Sequence, residues 1–322
     1  MITNHIFQSH LNCKYKAYLK LSKDPPTTYQ SGFERFSKSR DDEYRIKTFE
    51  TLFSEVEPNE SSSSAICRSL MENGKDIILN ATLENASCKV TADAFEKFRG
   101  KSRFGAFYYE PVLCIRRPAI LIDDKLMLAF VSIVLAEEQD RTPIFGKIIY
   151  GSDRRPQKVR LLKFIKQAQK LLDELSLVVA IPKLFLNKHC KQCAFESFCT
   201  QKAIEKDDLS LLSKISKKEI DSLNRRGLFT ITQLSHKFKP QRRHKSLEQK
   251  KPHLHSLHAL AIREKKVHIY NSPPIPSSAT EIFLDVESDP DREFYYLIGL
   301  KLRRDGVAEN YQFWADHPDQ EE

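Results

Sequence analysis

Two stretches decide the fold: Cys88-Lys89-Val90-Thr91-Ala92-Asp93-Ala94-Phe95 and Phe107-Tyr108-Tyr109-Glu110-Pro111-Val112-Leu113-Cys114-Ile115, with a basic, glycine-containing turn over 97–103 between them. Aromatic and branched residues dominate both, which suits strands. Each carries an acid, Asp93 and Glu110, inside the run. Upstream, residues 77–83 form a third run of the same kind. Downstream, 124–139 predicts a helix with a long apolar face, 145–150 a short strand ending at Gly151, and 158–177 a basic amphipathic helix. Upstream again, 1–21 predicts one short amphipathic helix through Ile6, Leu11, Tyr15, Tyr18 and Leu19, stopped by Asp24-Pro25-Pro26. A second helical pattern covers 42–53. Helix, strand meander, helix, strand, helix suits a compact α/β domain with a mixed sheet.

The chain has 322 residues, enough for more than one domain, and its 40% hydrophobic content supports a core. Its net charge of +9 favours a polyanionic partner, because neutralising phosphates releases counterions. The N-terminus lacks a basic segment followed by an apolar one, and the apolar run 126–136 is too short to span a bilayer. A cytoplasmic protein that does not enter the membrane is expected. In that reducing setting clustered cysteines point to metal rather than to disulfides.

Seven cysteines are present, and three of them form Cys190-x2-Cys193-x5-Cys199. Thiolates this close can share one centre, and soft thiolates select zinc or an iron–sulfur cluster. The fourth ligand is either the adjacent His189, giving a zinc knuckle, or the distant Cys13. Cys67, Cys88 and Cys114 lie in apolar or strand contexts and read as small buried hydrophobes.

A cysteine near the N-terminus, an α/β body and then C-x2-C-x5-C resembles the iron–sulfur nucleases of the RecB superfamily, which include CRISPR-adaptation exonucleases and AddB-type helicase–nuclease subunits. The resemblance covers 1–203. It implies a restriction-endonuclease-like (RecB-type) fold, with a 4Fe–4S cluster on Cys13, Cys190, Cys193 and Cys199 stapling the domain's two ends. It also implies a hydrolytic centre that uses Mg²⁺ or Mn²⁺, since carboxylates hold the metals that activate water in phosphodiester hydrolysis. The superfamily places an Asp on one strand and acid-x-Lys on the next. Asp93 and Glu110 match the acids. Two positions after Glu110 stands Val112, so Lys125, at the start of the next helix, is expected to supply the charge. The early-helix His of the superfamily has no match between His10 and His189.

Residues 204–239 resemble a helix–hairpin–helix, with short helices around Gly227 over 209–234. Arg225 and Arg226 precede the turn, and the amides of the second helix are expected to meet a phosphate. A basic and proline-rich linker, 240–280, carries Arg242, Arg243 and Lys245 as further phosphate contacts. Segment 281–322 begins with Asp285-Val286-Glu287, two acids on one strand face. Followed by Tyr295-Tyr296-Leu297-Ile298-Gly299-Leu300, it resembles the opening of an RNase H-like exonuclease domain, apparently truncated. This layout is similar to RecB-like nucleases with a C-terminal RNase H-like domain. The expected function is metal-dependent cleavage of nucleic acid, DNA in preference to RNA, with a helicase or other DNA-processing partner left open. The rival is a non-catalytic nucleic-acid adaptor derived from a nuclease. A redox protein fits less well, because nothing suggests a flavin or a second cluster.

Overall fold

The computed structural model describes residues 1–22, 32–56, 63–176, 181–239, 255–269, 278–289 and 294–321. The linker residues Arg242, Arg243 and Lys245 lie outside them. The chain divides into two compact units, Met1–Lys266 and Val267–Glu322.

In the first unit a mixed sheet is built from β1 (Ile2–Thr3), β2 (Ile77–Glu84), β3 (Cys88–Ser102), β4 (Gly105–Ile115), β5 (Phe145–Tyr150) and β6 (Arg155–Arg160). Strands β2, β3 and β4 form the expected antiparallel meander, β5 joins β4 in parallel, and β6 closes the edge antiparallel to β5. The parallel step requires a crossover, and α5 (Ile122–Gln139) provides it. Of the other helices, α1 (Asn4–Asn12), α2 (Lys14–Ser22), α3 (Gly32–Leu52) and α4 (Ser64–Glu72) come before the meander, and α6 (Leu162–Ser176) follows β6.

The sheet buries both faces. On one, α1 and α5 pack over Val90, Ala92, Phe95, Tyr109, Leu113 and Ile148, and Phe7 stacks on Phe130 with ring centroids 4.5 Å apart. On the other, Phe49 of α3 and Phe53, just past its end, cover Leu79, Ala94, Val112 and Ile149. Gly146 permits the close approach of α5: a Cβ there would stand 2.9 Å from Leu128 and 3.1 Å from the Pro111 carbonyl. Buried Gln139 locks the end of α5 to β4. Its Oε1 accepts from Tyr109 N at 2.8 Å, and its Nε2 donates to the carbonyls of Tyr109 and Arg141.

Strand alternation slips in the middle of β3. Ala92 faces α5 and Ala94 faces α3, with Asp93 between them and Asn80 at φ 48° on the neighbouring strand. That local twist turns Asp93 toward α3.

Several elements differ from their sequence expectations. The N-terminal helix is two helices, broken at Cys13, whose backbone is extended (φ −163°, ψ 112°). Helix α4 was not expected. Residues 158–160, expected to start a helix, complete β6 instead, because β5 offers them a ladder of hydrogen bonds and Pro156 sits on the free edge. The basic turn over 97–103 is strand for most of its length, and β3 runs on to Ser102.

After the cysteine segment come α7 (Glu196–Glu205), α8 (Lys217–Arg225), α9 (Ile231–Ser235) and α10 (His255–Glu264). A small core of Leu209, Leu212, Ile215, Ile220, Leu228, Ile231, Leu234 and Ala259 joins the last three. Gly227, at φ 76°, makes the expected turn between α8 and α9. The second unit is an antiparallel meander of β7 (Thr280–Asp289), β8 (Phe294–Arg304) and β9 (Val307–Trp314). Among the described residues no helix is long and apolar enough to cross a membrane.

Candidate functional site

The four cysteines come from three places. Cys13 closes α1, Cys190 opens a 3₁₀ turn that ends at Cys193, and Cys199 lies inside α7. All four line one pocket. Its apolar wall is formed by Leu184, Phe185 and Phe195, and Tyr15 and Leu19 pack in the same hydrophobic cluster. Two backbone amides point at sulfur: Lys16 N stands 3.4 Å from Cys13 Sγ, and Asn187 N stands 3.3 Å from Cys190 Sγ. Asn187 also ties the two ends together, its Nδ2 donating to the Asn12 carbonyl at 3.3 Å. Burial pushes the Cys199 thiol up to about 12, with Cys193, Cys13 and Cys190 adding to the shift, and it also raises Cys190. Such thiols ionise on meeting a metal, whose charge inverts this preference. Among the described residues no three His, Cys, Asp or Glu side chains are grouped to hold one metal ion. A cubane cluster asks for a different arrangement, since each thiolate binds a separate iron.

Asp93 and Glu110 lie on adjacent strands, as expected, but do not share a site. Ala94 pairs with Val112, so the position opposite Asp93 is Leu113. Glu110 is three residues further along, roughly 10 Å away at strand spacing. The Asp93 carboxylate is already engaged. Its Oδ2 accepts from Cys114 N at 2.6 Å, and Arg45 of α3 stands 3.8 Å from Oδ1. Burial raises its pKa to about 6, against the pull of the Cys114 amide and Arg45. Lys125 reaches neither acid. It sits on α5, across the sheet from α3, with its ammonium 5.8 Å from the Phe164 ring.

Glu110 faces Glu96 instead, directly across β3 and β4. Alternation from Ala94, Val112 and Ile149 puts Glu96, Glu110 and Lys147 on the α3 side of the sheet. Lys147 Nζ stands 2.6 Å from Glu96 Oε1, and Tyr108 Oη donates to Glu110 Oε1 at 3.0 Å. Only 5% of Glu110 is exposed. Burial raises its pKa, and nearby Glu96 adds to this, while Tyr108, Lys158 and Lys147 oppose it. Opposed like charges destabilise a sheet, and Lys147 offsets that cost here. Neither Glu96 nor Lys147 was singled out in the sequence. The signals were an acid two residues after Ala94 on a half-buried strand and a lone lysine within the apolar run 145–150.

In the hairpin, Arg225 and Arg226 are exposed. The amides of α9 are not available to a phosphate: Ile231 N donates to the Asp207 carbonyl, Thr232 N to the Asp207 carboxylate, and Gln233 N to Thr230 Oγ1. The expected phosphate contact is thus taken by an acid that would repel one. Asp285 and Glu287 share a face of β7 and are exposed.

No protein-family model and no curated protein matches the chain. Among solved structures, "Crystal structure of SSO0001" is similar at 16% identity and a TM-score of 0.27, over 49% of this chain and 81% of that one. A likeness at that level carries no argument, and the mixed α/β architecture stands on the strand order and register described above.

Proposed function

We propose that the chain is a metal-dependent nuclease of the RecB-like, restriction-endonuclease-like type, which hydrolyses phosphodiester bonds in DNA in preference to RNA. A 4Fe–4S cluster on Cys13, Cys190, Cys193 and Cys199 is its structural staple. In support, four thiols from the two ends of the fold line one apolar pocket with backbone amides directed at sulfur.

One observation carries the hydrolase reading: buried Glu110 facing half-buried Glu96, with Lys147 beside them. The two carboxylates are the groups that would hold Mg²⁺ or Mn²⁺, which supplies an activated water and neutralises the leaving oxygen. Lys147 takes the place of the lysine absent at Val112, approaching from the neighbouring strand, where an ammonium steadies developing negative charge. The segment 281–322, with Asp285 and Glu287 on one strand face, fits the opening strands of an RNase H-like domain.

A second reading, a non-catalytic nucleic-acid adaptor, is favoured by the engagement of Asp93 with Cys114 and Arg45. Cleavage of labelled single- and double-stranded DNA with Mn²⁺ separates the two. Activity lost in Glu110→Gln and Lys147→Met, with DNA binding kept, supports the nuclease. A wild-type protein that binds and never cleaves is the adaptor.

A further inference from the structure

Behind Glu110 stand two residues to which the hydrolytic reading assigns no role, Tyr108 and Arg141. We propose that Arg141, acting through Tyr108, is a positioning residue that fixes the Glu110 carboxylate for a divalent cation. The inference rests on the reading of Glu110 as a metal-holding carboxylate and adds how that carboxylate is held.

The arrangement begins with the strands. Residues two apart on β4 share a face, so Tyr108 stands beside Glu110 on the α3 side, opposite its register partner Phe98 on β3. The phenol is a neutral donor near neutral pH, and it donates to Glu110 Oε1 at 3.0 Å. That bond engages one oxygen of the carboxylate and sets the direction of the other.

The Tyr108 ring is gripped from two sides. The Phe98 ring centroid lies 6.0 Å from its own, and the guanidinium carbon of Arg141 stands 3.8 Å from the ring centroid, well inside cation–π range. Arg141 is held in turn, in the loop that joins α5 to β5. Its Nη1 donates to the Lys101 carbonyl at 2.6 Å, its backbone N donates to the Ala136 carbonyl at 3.1 Å, and its own carbonyl accepts from Gln139 Nε2 at 2.9 Å. Gly100 leaves the space that the guanidinium fills: a Cβ there would stand 2.6 Å from Arg141 Nη1. Any apolar side chain could pack on an aromatic ring. A guanidinium tied to a backbone carbonyl and laid on the ring of a tyrosine that donates to a buried acid makes a continuous brace from the end of α5 to Glu110. Hydrogen bonds behind a ligating carboxylate fix its orientation and raise metal affinity.

The test is calorimetric titration of the full chain with Mn²⁺ alone, following the binding that Glu110→Gln abolishes. Tyr108→Phe keeps the ring and removes only the hydroxyl. It should bind Mn²⁺ about tenfold more weakly or worse, the range for losing a partner behind a metal ligand. Arg141→Met and Arg141→Gln should each weaken binding to a similar degree, and either serves if its urea midpoint matches the wild type's. Adding Arg141→Met to Tyr108→Phe should cost nothing further, because Arg141 acts through the hydroxyl already removed. A purely structural arginine would give additive losses instead, and that result overturns the proposal. Tyr108→Phe at wild-type affinity overturns it by itself while leaving the metal-holding role of Glu110 intact. Mn²⁺ binding that Glu110→Gln leaves unchanged, or no Mn²⁺ binding by the wild type, overturns both the brace and the reading on which it rests.

Discussion

Lys147 is the register partner of Val112 across the parallel β4–β5 pair, and its ammonium reaches Glu96 Oε1 at 2.6 Å. The position two residues after Glu110 lacks a lysine along the chain but has one beside it in space. Glu110→Gln and Lys147→Met should each lower nuclease activity by about a hundredfold or more, in the range of losing one electrostatic contact to the transition state. Asp93→Asn and Asp285→Asn should retain most of it. Single-turnover cleavage with Mn²⁺ measures all four. Loss in Asp93→Asn with full activity in Glu110→Gln would move the centre back to Asp93.

The cysteine pocket predicts colour. Anaerobically purified protein should be brown and contain about four iron atoms per chain, as one 4Fe–4S cluster requires. Cys13→Ala should destabilise the domain as strongly as Cys193→Ala, since either change opens the tie between α1 and the segment before α7. A colourless protein with one zinc and an indifferent Cys13 would favour the His189 knuckle.

Asp93 predicts a pH dependence. Its pKa rises from the ordinary 3.8 to about 6 on folding. The native state therefore holds the proton more tightly than the unfolded chain does. This contribution is fully present below about pH 4 and is lost as pH rises through about 6, worth at most about 3 kcal/mol. Asp93→Asn should match the wild type near the acid end and exceed it at neutral pH. A difference between the two denaturation midpoints that does not change with pH would show that folding leaves the Asp93 pKa unshifted.

Gln139 satisfies three backbone groups at the end of α5. Gln139→Leu should cost about 2–3 kcal/mol, because it strands a buried amide and two carbonyls. Urea unfolding measures the loss, and a change under half a kcal/mol would mean that water replaces the amide.

The exposed lysines Lys163, Lys166 and Lys170 follow helical spacing on α6. Changing all three to Gln should reduce the salt slope of duplex binding by about 2.7. Charge reversal at Arg242, Arg243 and Lys245 tests the linker in the same assay. A slope untouched by both sets would leave these cations merely solvated.

Composition and periodicity alone determined much here: the three-strand meander, the helix over 124–139, the short strand after it and the turn at Gly227. Each follows from short-range preference, which a linear pattern carries. The spacing of Cys190, Cys193 and Cys199 likewise pointed to side chains that meet, and all three line one pocket. Tertiary structure decided the rest. Pairing register set Glu110 against Glu96 and left Asp93 to Cys114 and Arg45, because a slip at Asn80 and Asp93 changes which side chains share a face. Residues 158–160 became a strand because β5 offered partners, a contact that local propensity does not encode. Cys13 joined the other three cysteines through chain folding across more than half the domain. Lys147 reached Glu96 only because the crossover laid β5 beside β4, and no spacing along the chain contains that contact.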